Sequence, residues 1–174
     1  MAFLDPDKAL SEAHIEQGSV VVDFGSGSGA YAIAAGKRMG DNGHVYAVDV
    51  QDGLLSRIRA AASSAGVKNV ETVHADIESG TPLASGLASL VIISNTLFQV
   101  EDKNAVFKEA GRLLGKNGKL LLIDWSDSFG GLGPQKQDVF VASEAKKLAT
   151  VEGFTAEKEF DAGDHHYGVI FRKN

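Results

Sequence analysis

The chain has 174 residues, enough for one domain of ordinary size around a single buried core. It carries no cysteine, which excludes disulfides, thiolate metal sites and a cysteine nucleophile. No apolar run reaches signal-peptide or membrane-spanning length, so a cytoplasmic location with no membrane partner is expected. Seventeen Lys and Arg against 23 Asp and Glu give a formal charge of −6, which disfavours nucleic acid as a partner.

In chain order, a short helix is expected around Asp5 to Ile15, and residues 1–17 read as an N-terminal helix or lid on a single 1–174 domain. The apolar strand Val20 to Phe24 then runs straight into Gly25-Ser26-Gly27-Ser28-Gly29. Glycines at alternate positions let main-chain N–H groups approach a ligand closely. A nucleotide-like ligand is the expected occupant. Ala30 to Met39 reads as a helix stopped by Gly40, and Asp41-Asn42-Gly43 turns into a strand over His44 to Val48. Leu54, Leu55, Ile58, Ala61, Ala62 and Ala65 recur at helical spacing, with Asp52 as the expected cap and Gly66 as the stop, before a strand over Val70 to His74.

Leu90-Val91-Ile92-Ile93 is a continuous apolar run, expected of a strand covered on both faces in a parallel sheet. Val106, Phe107, Ala110, Leu113 and Leu114 form one face of a helix opened by Asp102. Gly115-Lys116-Asn117-Gly118 then turns the chain into a strand over Leu120 to Ile123. A glycine-bearing loop, Ser126 to Gln135, leads to a helix near Asp138 to Thr150. Thr155 to Phe160 and Tyr167 to Phe171 both read as strands, joined by Asp161 to His166 alone. So short a connection makes the pair antiparallel, because a parallel crossover needs a dozen residues or more. The expected fold is α/β: a three-layer sandwich around a mostly parallel seven-stranded sheet that ends in an antiparallel hairpin.

With this order of elements, the segments VVDFGSGSG, VYAVDV, HADIES, LVIISNTLFQV and RLLGKNGKLLLIDW resemble the class I S-adenosylmethionine-dependent methyltransferases over about Gly18 to Arg172. The resemblance implies S-adenosylmethionine as cofactor, S-adenosylhomocysteine as product, and a Rossmann-like fold. It places Gly25, Ser26, Gly27 and Gly29 under the methionine part of the cofactor, with Asp23 orienting the amino group and Tyr31 covering the methionine or belonging to the core. Asp49 would take the ribose hydroxyls, Val50 and Leu54 would flank the adenine, and Asp76 with Ile77 would meet its amino edge. Asn95 either lines the transfer site or closes an Asx turn. Ser89 departs from the family, where an acid often stands.

The implied chemistry is direct displacement at the sulfonium methyl, with no metal and no covalent enzyme intermediate. A base is needed only if the acceptor must lose a proton. His165 and His166, in the terminal hairpin beyond the carboxyl ends of the strands, are the candidates; Asp124 and Trp125, at the end of the fifth strand, are also expected near the acceptor mouth. Without cysteine the resemblance does not extend to thiolate-dependent arsenite or cytosine C5 enzymes. No Asn/Asp-Pro-Pro-Tyr segment follows the fourth strand, so a small-molecule acceptor is expected. Two other readings stay open. Gly25-x-Gly27-x-x-Ala30 with Asp49 downstream also fits an NAD-dependent oxidoreductase, and the small acceptor region fits a non-catalytic cofactor-binding partner subunit.

Overall fold

A computed structural model describes residues 5–131 and 133–174. Residues 1–4 of the expected lid, and Leu132 in the long loop, lie outside the described residues. Seven strands form one sheet: β1 (Val20–Phe24), β2 (His44–Asp49), β3 (Val70–His74), β4 (Ala88–Ser94), β5 (Leu114–Trp125), β6 (Phe154–Asp161) and β7 (His166–Lys173). Their spatial order is β3-β2-β1-β4-β5-β7-β6. The first five strands pair in parallel, whereas β7 runs antiparallel to both β5 and β6.

The sequence dictates a sheet covered on both faces, because apolar residues occupy both parities of the central strands. Val22, Phe24, Val91, Ile93, Leu120, Leu122, Val169 and Phe171 point to one side, where α4 (Lys103–Leu113) and α5 (Ala142–Val151) pack. Val21, Leu90, Ile92, Leu121, Ile123 and Ile170 point to the other, beneath α1 (Pro6–Ala13), α2 (Ala30–Met39) and α3 (Asp52–Ser64). On the first face three rings, Phe107, Phe154 and Phe171, meet edge to face with centroids 6.2–6.5 Å apart, the arrangement that aromatic quadrupoles favour.

Several local expectations are corrected. Asp52 is not a cap: it sits in the first turn of α3, and Gln51 precedes the helix without a side-chain bond. Asp102 does cap α4, accepting from Ala105 N at 3.0 Å. The helix expected near Asp138 starts at Ala142, after a separate 3₁₀ turn, Lys136–Asp138. Gly115 to Gly118 lies within β5 as a bulge. Ala88 pairs with Leu114 and Leu90 with Lys119, and Asn117 takes φ +62° to absorb the excess chain.

No helix crosses over between β3 and β4; a turn-rich segment, residues 75–87, spans the gap. Glu109 and Arg112 of α4 hold it. Glu109 accepts from Thr81 N and Oγ1 at 2.8 and 2.6 Å, and Arg112 donates to Glu109 at 2.7 Å and to the Leu83 carbonyl at 2.9 Å. These bonds hold the Glu109 carboxyl below its usual range despite the opposing effect of burial. No helix among the described residues is long and apolar enough to cross a membrane.

Phe107→Ala removes the ring shared by the aromatic trio. It should lower the unfolding free energy by about 3–5 kcal/mol in urea titration, with little change in far-ultraviolet circular dichroism before unfolding.

Candidate functional site

A cavity of about 660 Å³ opens at the carboxyl ends of β1 to β4, beside the 3₁₀ turn Leu97–Gln99. Its place follows from strand order. The chain goes from β1 outward to β2 and β3, then returns to the other side of β1 as β4, and the connections leaving β1 and β4 diverge over a crevice.

The glycine turn forms one wall. Gly25 takes φ +64°, and a Cβ there would lie 2.7 Å from Thr96 Oγ1, so any larger residue would push the turn after β4 away. Ser26 ties the turn to its surroundings, its N–H donating to the Val48 carbonyl at 3.0 Å and its hydroxyl to the Asp23 carbonyl at 2.8 Å. Gly27 N donates to Asp49 Oδ2 at 3.0 Å, and Gln51 N donates to Asp49 Oδ1 at 3.0 Å. A carboxylate offers about four lone-pair directions, so two backbone bonds fix Asp49 and leave acceptor capacity for a ligand. Gly29 does not line the cavity. It is the left-handed N-cap of α2, and a Cβ there would meet Ile58 Cγ1 at 2.8 Å, so its part in the site is to close helix against helix.

Asp23 stands at the floor, only 2% exposed, and no group among the described residues hydrogen-bonds its Oδ2. Burial pushes its carboxyl up to about 7. Hydrogen bonding from Ser26 and the Ala32 N–H offsets part of the rise, and the charge of Asp49 adds to it. Burial also pushes the Tyr31 phenol, on the same lining, up to about 12 against a hydrogen bond with Ser94.

Val50, Leu54, Asp76 and Ile77 line the far end of the cavity. Asp76 accepts from Glu78 N at 2.9 Å and Ser79 Oγ at 3.0 Å, bonds that shape the turn after β3. Asn95 lines the near end, at φ +53°. It closes no Asx turn through its oxygen: Oδ1 is buried and has no hydrogen-bond partner among the described residues. Ser94, Thr96, Gln99 and Val100 complete this wall. Ser94 ends β4, and Thr96 and Val100 flank the 3₁₀ turn that contains Gln99; periodicity does not reveal this turn, although the apolar run ending at Ser94 marks where a strand must release the chain.

The two histidines do not reach the cavity lining. His166 begins β7, buried against Trp125 with ring centroids 4.2 Å apart, and its Nδ1 is 2.8 Å from the Asp164 carbonyl. His165 stacks on Phe129 at 4.1 Å and pairs with Asp127 at 2.7 Å. The hairpin is at the carboxyl edge, but two strands beyond β4, and this lateral offset separates the imidazoles from the crevice. Asp124 is also internal. Fully buried, it accepts from Leu97 N at 2.9 Å and Trp125 N at 2.8 Å, and burial pushes it up to about 6 against those bonds.

Comparison with known proteins agrees with this architecture. A family described as "Methyltransferase domain" matches residues 15–166, and the chain belongs to that family, with the class I S-adenosylmethionine-dependent methyltransferase fold. It superposes on a crystal structure of a SAM dependent methyltransferase from Aquifex aeolicus with a TM-score of 0.89 and 25% identity, over 98% of this chain and 90% of that one. It is 30% identical over 113 residues to the ubiquinone/menaquinone biosynthesis C-methyltransferase UbiE of Enterobacter sp. (strain 638), covering 64% of this chain and 45% of that protein. It is 29% identical over 112 residues to an arsenite methyltransferase of Halobacterium salinarum, covering 64% of this chain and 28% of the relative. The chain thus spans less than half the length of these curated relatives. Membership of this family and the reversed terminal strands argue against the dinucleotide-oxidoreductase alternative.

Raised carboxyl pKa values have a stability consequence of definite sign. Between about pH 4 and 6–7 the folded chain keeps protons on Asp23 and Asp124 that the unfolded chain has released, so these two groups make stability fall as pH rises through that window. Asp23→Asn removes one of the two. Urea titrations at pH 5 and pH 8 should show the variant losing roughly 2–3 kcal/mol less over this interval than the parent. Equal losses would mean that Asp23 ionises freely in the fold.

Proposed function

We propose that the chain binds S-adenosylmethionine in this cavity and transfers its methyl group to a small-molecule acceptor, leaving S-adenosylhomocysteine. The observation that carries the reading is the pair of acids at its centre. Asp23 Oδ2 is a buried acceptor with no donor among the described residues, suited to an ammonium group, and Asp49 is a carboxylate fixed by two main-chain N–H groups with lone pairs to spare, suited to a vicinal diol. The volume lies within the roughly 300–1,000 Å³ usual for ligand cavities.

On this reading the bound group supplies an activated sulfonium methyl, and the protein supplies position. Asp23 holds the amino group of the methionine part, while Gly25, Ser26 and Gly27 pass beneath it and Tyr31 covers it. Asp49 grips the ribose. Val50, Leu54 and Ile77 enclose the adenine faces, with Asp76 at the amino edge. Alignment of reacting groups and exclusion of water can supply on the order of 7–11 kcal/mol of a displacement barrier, so no side chain need bond to the methyl. His165 and His166 have no part in this scheme, because neither borders the cavity. A partner subunit that binds the cofactor without turnover would use the same grip, and methyl transfer in an acceptor screen distinguishes it.

Calorimetry with S-adenosylhomocysteine tests the reading. The parent chain should bind it. Asp49→Asn should weaken binding by about 10- to 100-fold, the effect of losing hydrogen bonds to a charged acceptor. Affinity should also rise from pH 5 to pH 8 as Asp23 ionises to meet the ammonium group. A thermal shift with NADH and none with S-adenosylhomocysteine would overturn the assignment.

A further inference from the structure

We propose that Glu109 and Arg112, neither of which lines the cavity, are positioning residues for the base of the bound cofactor: by fastening the segment that carries Asp76, they set selectivity for the adenine amino group. The inference rests on the cofactor reading above and extends it from the cavity lining to α4.

Asp76 is oriented by its own neighbours. Glu78 N donates to one carboxylate oxygen at 2.9 Å and Ser79 Oγ to the other at 3.0 Å, so the carboxylate follows wherever residues 78 and 79 go. Both belong to the segment 75–87, which contains no helix or strand. Ala75 N donates to the Asp49 carbonyl. Beyond it, every hydrogen bond that leaves the segment, among the described residues, ends on α4 or on its cap Asp102. Asp102 N donates to Glu78 Oε1 at 2.6 Å, and Glu109 Oε1 takes both the N–H and the hydroxyl of Thr81. Arg112 is forked on the Glu109 carboxylate through Nε and Nη2, each at 2.7 Å. It also donates to the Thr81 carbonyl at 3.2 Å, the Leu83 carbonyl at 2.9 Å and Ser85 Oγ at 3.0 Å. A planar guanidinium holds its donors in a fixed fork, so one side chain fixes several residues of the segment together.

Apolar packing does not replace these bonds. Ile77 is buried, and Leu83 and Leu87 pack against the same core cluster, which fixes the depth of the segment. Burial is non-directional, however, and does not fix which way the carboxylate at position 76 points. A hydrogen bond does depend on direction, weakening steeply once the angle at hydrogen falls below about 120°. Thr81 lies two residues beyond Ser79, so the clamp on it is the nearest fixed point downstream of the turn that orients Asp76. Glu109 is buried and has no other cation paired with it among the described residues, so removing Arg112 loosens the hold of both on the segment. At the edge of the base, the adenine amino group donates where a keto oxygen only accepts. A carboxylate held in register with that edge favours the first and repels the second, and one that wanders does neither.

Titration calorimetry of the full chain with two ligands tests this: S-adenosylhomocysteine, and S-inosylhomocysteine, which carries a keto oxygen in place of the adenine amino group. The parent should prefer the adenine ligand by about 10- to 100-fold, the effect of one hydrogen bond to a charged acceptor. Arg112→Ala should bring the two ligands to within about threefold, chiefly by weakening the adenine ligand. A merely structural loss lowers the folded fraction, weakens both ligands by the same factor and leaves their ratio unchanged. An unchanged ratio in Arg112→Ala therefore overturns the proposal. Should that variant not fold, position 81 decides. Thr81→Val, which deletes one donor to Glu109, should lower the preference about threefold or more, whereas Thr81→Ser, which keeps the hydroxyl, should retain it. Equal preferences in these two variants overturn the proposal, as does a parent that binds both ligands equally, because Asp76 then does not read the base. Failure of S-adenosylhomocysteine to bind the parent chain is a separate outcome that overturns the cofactor reading and this inference with it.

Discussion

Gly27 N–H donates to Asp49 across 22 residues of sequence, and the geometry of the site depends on this bond. It joins the turn after β1 to the end of β2, so the glycine loop cannot lift away from the sheet without freeing a buried carboxylate. The same carboxylate holds Gln51 N, which starts the chain into α3. Two successive βα turns are thereby locked to one side chain. The glycine conformations make the approach sterically possible: a side chain at position 25 would strike Thr96, and one at 29 would strike Ile58. Parallel pairing of β1 between β2 and β4 brings all these groups to one edge.

Buried acids in this chain divide by whether the fold satisfies them. Glu109, 7% exposed, receives donors from Thr81 and Arg112, and its carboxyl is lowered. Asp23, similarly buried, has an oxygen with no donor among the described residues, and burial raises its carboxyl to about 7. Asp124 accepts two close N–H bonds and still rises to about 6, because main-chain dipoles only partly offset the loss of water. The satisfied acid fastens, at Thr81, the segment that begins with the cavity residues 75–78 and does not itself line the crevice, whereas Asp23 lies on the cavity lining. An unmet buried acceptor lowers stability and, on the proposed function, is met by the ammonium group of the ligand, a combination expected where function and stability compete.

Much of the architecture is legible in the sequence because it rests on local periodicity. Both parities of Val20 to Phe24 and Leu90 to Ile93 are apolar, which requires a doubly covered sheet, and the short link before Tyr167 requires an antiparallel pair. What escapes such reading depends on partners distant in sequence. The retention of Gly115 to Gly118 within β5 follows from Leu114 pairing with Ala88, and the late start of α5 leaves Asp138 in a turn of its own. The histidines illustrate the same limit. Edge and end of the sheet were readable, but the sideways offset of β7 from β4 is a property of strand order. Asn95 could be placed at a strand end, yet that its buried oxygen has no hydrogen-bond partner among the described residues is visible only in three dimensions.

The two ends of the cavity are supported by different strands. At one end, β2 fixes the glycine turn through Asp49. At the other, β5 fixes the turn that bears Asn95 through the Ile123 carbonyl and Asp124. They meet where Thr96 Oγ1 approaches the Phe24 carbonyl at 3.4 Å, a long contact that couples them weakly. Substitutions in residues 95–100 can therefore reshape that wall of the cavity while the surroundings of Asp23 and Asp49 stay intact. On the proposed function, where this wall meets the acceptor, it lies largely on a short turn rather than within the sheet, so a change of acceptor demands little of the core and a shared cofactor grip is compatible with divergent chemistry.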